Sequence, residues 1–183
     1  MTLNTLWLLA SEFLQILNDT YKKYEGQEFV DPLPFVDSQY ISVGAAGSMP
    51  EWRTCGQVNC YIGLPYAGFA NQGDAVSCGT PVSAGFTMEI LRCTPTPQIS
   101  PKSVVKITQQ FNDKFSEAIH KQSNDILILR EASLEFAQKN HASQNQMTNI
   151  NISVGQIQGG SNSITAVVSV PLSRMNREVE VNG

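Results

Sequence analysis

The chain is short of charge, and of positive charge most of all. Asp, Glu, Lys and Arg make up 15% of its residues, well under the quarter or so of an average soluble domain. The abundant Asn, Gln, Ser and Thr therefore give it a surface that is polar more than ionic. Lys and Arg number 12 against 16 Asp and Glu, for a formal net charge of −4, and no basic run exceeds Lys22-Lys23. Tight nucleic-acid binding depends on neutralising phosphates, so this composition argues against it. A wall that DNA merely passes is compatible with it. Long apolar runs are missing too, since none approaches the ~18 to 20 residues of a membrane span. The apolar segment TLWLLASEFLQIL near the N-terminus does not read as a signal peptide, because no Lys or Arg precedes it and Glu12 interrupts it.

Signatures of chemistry are equally scarce. The chain has no GxSxG, GxGxxG, GxxxxGK[ST] or HExxH, the patterns that would set a nucleophile, a phosphate cradle or a metal pair in a fixed geometry. Its two histidines, His120 and His141, lie far from the four cysteines, Cys55, Cys60, Cys78 and Cys93. No CxxC occurs, so a zinc site is the weakest reading of the cysteines, disulfides come next, and buried free thiols in a reducing cytosol lead. No metal, cofactor or catalytic residue is expected. Cys55 with His120 as its base would make a small cysteine-dependent enzyme, but a small core residue beside a solvated helix histidine is the plainer account of the pair.

What is present is periodicity. With 42% hydrophobic residues over 183 positions, one compact domain spanning 1–183 is the default. Leu3, Leu6, Trp7, Ala10, Phe13, Leu14, Leu17, Tyr21 and Tyr24 fall on one face of a helix. Gly26 can end that helix, and Pro32 and Pro34 keep the next residues extended. A long irregular region is expected over about 26–54. Alternation then predicts strands at Gln57 to Ile62 and Gly85 to Cys93, separated by a Gly-rich loop over about 63–82. After TPTPQISP, Val104, Ile107, Phe111, Phe115, Ala118, Ile119, Ile126, Leu129 and Phe136 mark a long central helix, with a break conceivable near Ser123-Asn124 and Ser100 or Ser103 as its cap. Ile150, Ile152 and Val154 and then Ile164, Ala166, Val168 and Val170 alternate as two more strands, joined by a hairpin at Gly159-Gly160. Residues 173–183 read as a tail or docking arm. The order αββαββ predicts an α+β fold, an antiparallel sheet packed by the N-terminal helix and the long central helix.

Five residues stand out as interface candidates. Trp52 sits among loop glycines, where an aromatic commonly anchors a partner, although core burial fits as well. Glu89 and Arg92 lie inside an apolar strand and read either as a buried ion pair or acid, or as charges on the outer face of a strand at a subunit interface. Gly159 and Gly160 form the hairpin turn. Trp7, by contrast, reads as a core residue of the first helix.

The stretch from Cys55 to Thr94 resembles a pattern of head-to-tail connector proteins of siphophages. Cys55-Gly56 leads to the strand QVNCYI, a loop leads to Cys78-Gly79, and the strand SAGFTMEILRC closes at Arg92-Cys93 before TPTP. A long helix follows, then ISVGQIQGGSNSITAVVSV with its glycine-bearing hairpin. The resemblance covers roughly residues 52 to 172. It departs from the pattern where Gly159, Gly160 and Ser163 replace an expected tryptophan and cysteine, which removes any disulfide from that hairpin. The element order is also similar to that of tail terminator proteins. This likeness implies a virion protein at the head-tail junction, without enzymatic activity. It would form a homo-oligomeric ring, a hexamer in that family, between the tail tube protein and a head completion or stopper protein, with DNA passing through the lumen and no membrane involved. A head completion, stopper or adaptor protein of the same connector is the alternative, although about sixty helical residues fit poorly with a small β-barrel stopper. A secreted, disulfide-stapled binding module is a rival from another class.

Overall fold

A computed structural model describes residues 3–33, 39–44, 56–63, 66–67, 82–95, 109–140, 150–155 and 160–171. It contains α1 (Leu3–Lys23), β1 (Gln39–Val43), β2 (Gln57–Ile62), β3 (Tyr66–Ala67), β4 (Val82–Cys93), α2 (Gln109–Asn140), β5 (Ile150–Val154) and β6 (Ser161–Pro171). The fold is α+β, with both helices packed on one sheet. The sheet order is β1-β2-β4-β6-β5, with β3 added beside β4.

The strands predicted from alternation form the antiparallel body of this sheet. β2 pairs with β4, β4 with β6, and β6 with β5. The long central pair β4 and β6 follows from the sequence, since even-numbered Phe86, Met88, Ile90, Ile164, Ala166 and Val168 all point to the same face and are buried there. β1 is a correction to the irregular region expected over 26–54. It pairs parallel to β2, with Gln39 opposite Val58 and Val43 opposite Ile62. QYISV is short, and only the neighbouring strand gives its backbone a partner, so its propensity alone was a weak signal. β3 likewise lies inside the loop expected over 63–82.

β2 also departs from the half-buried strand that its alternation implied, because all six of its residues are buried. The apolar Val58, Cys60 and Ile62 join the helix-side core. Gln57, Asn59 and Tyr61 are covered on the opposite, outer face.

On the inner face, α1 lays Leu6, Leu9, Ala10, Phe13, Leu17 and Tyr21 onto the sheet and α2. Helix α1 ends as expected, with Gly26 at φ 83 just beyond it, a left-handed conformation that glycine adopts at little cost. The helices run antiparallel, so that Phe13 stacks on Phe136 with ring centroids 4.3 Å apart, and Phe86 meets Phe136 edge-on at 5.6 Å. Ion pairs border the seam, Glu12 with Lys139 at one end and Lys23 with Glu131 and Glu135 at the other.

Two further expectations change at the helices. Trp7 is 46% exposed, because the inward stripe runs through Leu6, Leu9 and Ala10, and its neighbour position turns outward. Helix α2 is continuous through Ser123 and Asn124. The Ser123 hydroxyl donates to the Ile119 carbonyl, and the Asn124 amide donates to the carbonyls of Glu28 and Phe29, so both polar side chains find partners without interrupting the helix. From residue 112 onward, the first buried residue of α2 is Asp125. The candidate caps Ser100 and Ser103, and the tail over 173–183, lie outside the described residues.

Candidate functional site

β4 carries both charged residues singled out from the sequence, and the two-residue repeat of a strand sends them to opposite faces. Glu89 and Arg92 therefore do not pair with each other.

Arg92 points to the helix side, beyond Ile90. Its Nε donates to Asp125 Oδ2 at 2.5 Å and its Nη2 donates to Oδ1 at 2.8 Å. This two-pronged geometry suits a planar guanidinium and a carboxylate. Asp125 Oδ1 also accepts the Tyr21 hydroxyl at 2.6 Å. The remaining Arg92 donors reach the carbonyl oxygens of Pro32, at 3.1 Å, and Asp31, at 3.3 Å. One side chain thus joins β4, α2 and the segment after α1. Burial opposes the Arg92 charge, but the hydrogen bonds and charge of Asp125 outweigh it and raise its pKa further. Burial first, and then the Asp125 carboxylate, hold the Tyr21 phenol well above its usual value. Neither group is poised to exchange a proton near neutral pH, and the arrangement works as a clamp.

Beside this clamp is an open cavity of about 300 Å³, lined by Arg92, Thr94, Lys114, Lys121, Asp125 and Asn162 among others. Lys121 is bridged to Asp31 at 3.0 Å and to Glu117 at 2.8 Å.

Glu89 lies on the outer face, 3% exposed. Its Oε2 accepts the Tyr61 hydroxyl at 2.7 Å and the Asn59 amide at 3.1 Å. Register explains the contact, since Asn59 is directly opposite Glu89 in the β2–β4 ladder and Tyr61 is opposite Thr87. Asn59 Oδ1 is buried without a hydrogen-bond partner among the described residues.

Of the other residues singled out from the sequence, Gly160 adopts φ 82 and its carbonyl accepts the Thr94 N–H at 2.7 Å, which ties the hairpin turn to the end of β4. Trp52, Gly159, Cys55, Cys78 and His141 lie outside the described residues. His120 stacks on Phe29 with centroids 5.1 Å apart. Cys60 is a buried free thiol, and burial pushes its pKa up to about 12, so it carries no thiolate at neutral pH. Cys93 corrects the expectation of free thiols. It is exposed and disulfide-bonded, and its odd position at the end of β4 points away from the core that shelters Cys60. Among the described residues, no three His, Cys, Asp or Glu side chains lie close enough to hold a metal ion. Among them, too, no helix is long and apolar enough to cross a membrane.

Sequence reasoning missed Asp125, Tyr21 as its partner, and Asn59. A signal existed for Asp125, which shares the apolar face of α2 with Leu129, Ala132 and Phe136, and a carboxylate at such a position calls for a buried cation. No protein-family profile matches the chain, and no curated protein matches its sequence significantly.

Proposed function

We propose that this chain is a non-enzymatic, ring-forming subunit of the head-to-tail junction of a long-tailed bacteriophage, and within that junction the tail terminator. The observation that carries the reading is the order of motifs between Cys55 and Val170, with two CG pairs, a strand closing at Arg92-Cys93, proline-rich residues, a long helix and a glycine-bearing strand pair. The architecture is compatible with it, because these strands belong to one sheet covered by helices on a single face. Both polar clusters, around Asp125 and around Glu89, join secondary-structure elements to one another and expose no activated nucleophile, which suits a structural part. On the outer face, β5 and β6 present Asn151, Ser153, Ser163 and Thr165, uncharged groups that would let DNA pass without holding its phosphates. Tail tube protein on one side and a head completion protein on the other are the partners this role requires, and the virion is its location.

A terminator stops an open-ended stacking of rings, whereas a stopper holds packaged DNA in the head. Phage lacking this gene should make tails of uncontrolled length beside filled, unattached heads. Electron micrographs of the knockout lysate that showed tails of normal length beside emptied heads would overturn the terminator in favour of a stopper.

A further inference from the structure

The sheet ends in two strands whose outer edges pair with nothing among the described residues, β1 at one side and β5 at the other. The hydrogen bonds fix which backbone groups face outward. Gly44 N–H donates to Ile62 O, so alternate residues Ser42 and Tyr40 also face β2, and Gln39, Ile41 and Val43 turn their N–H and C=O groups away from the sheet. At the other side, Gly155 N–H donates to Ser163 O, so Ser153 and Asn151 face β6, and Ile150, Ile152 and Val154 turn outward.

Exposed strand edges are ordinarily blunted by charge, proline or a bulge, because they template pairing with other chains. Neither QYISV nor INISV contains a charged residue or a proline. The two strands are equal in length, at 5 residues each. Each also leaves a valine about half exposed on the helix side, Val43 at 49% and Val154 at 51%. The directions agree as well. β1 and β2 run parallel, and each later step from β2 to β4, β6 and β5 reverses direction, so β5 runs opposite to β1. A neighbouring copy related by a rotation that keeps strand direction would set its β1 antiparallel to this β5.

We infer that β5 of one copy pairs with β1 of the next, in a head-to-tail contact that continues the sheet from subunit to subunit. Ile150, Ile152 and Val154 exchange backbone hydrogen bonds with Gln39, Ile41 and Val43 of the neighbour, and the exposed valines are covered by the same step. Because the two edges are different surfaces, the contact is heterologous and propagates until a rotation closes it. Closure into a ring rests on the function proposed above, while the edge-to-edge contact itself does not.

The test uses the full chain with Val43→Pro and Val154→Pro, each of which removes an outward N–H while sparing the ladder inside the subunit. Val43→Lys and Val154→Lys serve as a second pair that retains strand conformation, and thermal melts verify folding. Light scattering during gel filtration, over rising concentration and beside tail tube subunits, should give wild-type assemblies at multiples of 20.1 kDa. Each edge variant alone should run as a monomer. An equimolar mixture of a β1 variant and a β5 variant should give a heterodimer of twice the chain mass and nothing larger, because each partner keeps one intact edge. Variants that assemble like the wild type, or a mixture that stays monomeric, would overturn edge pairing while leaving the ring untouched. A wild-type chain that remains monomeric under all these conditions would overturn both.

Discussion

At the residue scale, Asp125 has the strongest claim on stability. It is 2% exposed and accepts hydrogen bonds from Tyr21 and from two Arg92 nitrogens. Removing it strands a guanidinium in a largely buried site, and breaking one side of such a pair costs about 3–5 kcal/mol. Asp125→Ala should therefore lower the midpoint of urea denaturation by an amount corresponding to that loss, whereas the double variant Asp125→Leu with Arg92→Met should recover much of it. Equal destabilisation of the double variant would mean that the clamp contributes more than its charges. Cys60 adds a pH dependence. Its thiol, ordinarily near 9.0, is held up to about 12 by burial. Below pH 9.0 the thiol is protonated folded or unfolded, and its contribution is constant. Above that pH the unfolded chain gives up the proton while the folded chain keeps it, so stability falls by about 1.4 kcal/mol per pH unit until about 12. Denaturant titrations between about pH 8 and 11 should show a shallower decline for Cys60→Ala than for the wild type.

At the scale of elements, the helices show how far periodicity carries and where it stops. Phe13 was legible as core because it recurs with Leu6, Ala10 and Leu17 on one face, and burying a phenylalanine side chain contributes about 1.5–3 kcal/mol. Phe13→Ala also opens a gap beneath Phe136, so a loss of about 3–5 kcal/mol is expected in chemical denaturation. Leu127 is 62% exposed on α2, and Leu127→Gln should change stability by less than about 0.5 kcal/mol. A large loss at Leu127 would reveal a covering contact there. Trp7 was misplaced because a helix-face template tolerates a neighbour at its margin, and only the docked position of α1 decides which side of the stripe meets the sheet. β4 and β6 were legible from alternation. β1 was not, since the stability of a short parallel edge strand comes from the neighbour to which it bonds.

At the scale of the whole molecule, the disulfide at Cys93 departs from the free thiols expected of a reducing cytosol. Cys93, the last residue of β4, is disulfide-bonded. Native disulfides typically contribute about 2–4 kcal/mol. Reduction with a thiol should therefore lower the melting temperature, and mass spectrometry after alkylation without reductant should find Cys93 unmodified. Full alkylation of Cys93 in the folded, unreduced protein would mean that the bond does not form where the protein matures. The candidate site divides in the same way as the fold. Glu89 and Arg92 were recognisable as unusual because charges inside an apolar strand are costly, but their partners come from residues distant in sequence, Asn59 and Tyr61 for one and Tyr21 and Asp125 for the other.

Spacing and composition alone were enough for the order of both helices and of β2, β4, β5 and β6, the helix-facing sides of β4 and β6, and the scarcity of cations that grip nucleic acid. These properties are local or additive, since side-chain spacing and net charge need no knowledge of neighbours. Long-range packing was needed to settle which strand became the sheet edge, that β1 joined it in parallel, that Arg92 serves α2 while Glu89 serves β2, and that Trp7 faces outward. Each of these depends on register between segments far apart in the chain, where a one-residue shift exchanges the two faces of a strand, and that register is set by the packing of the whole core.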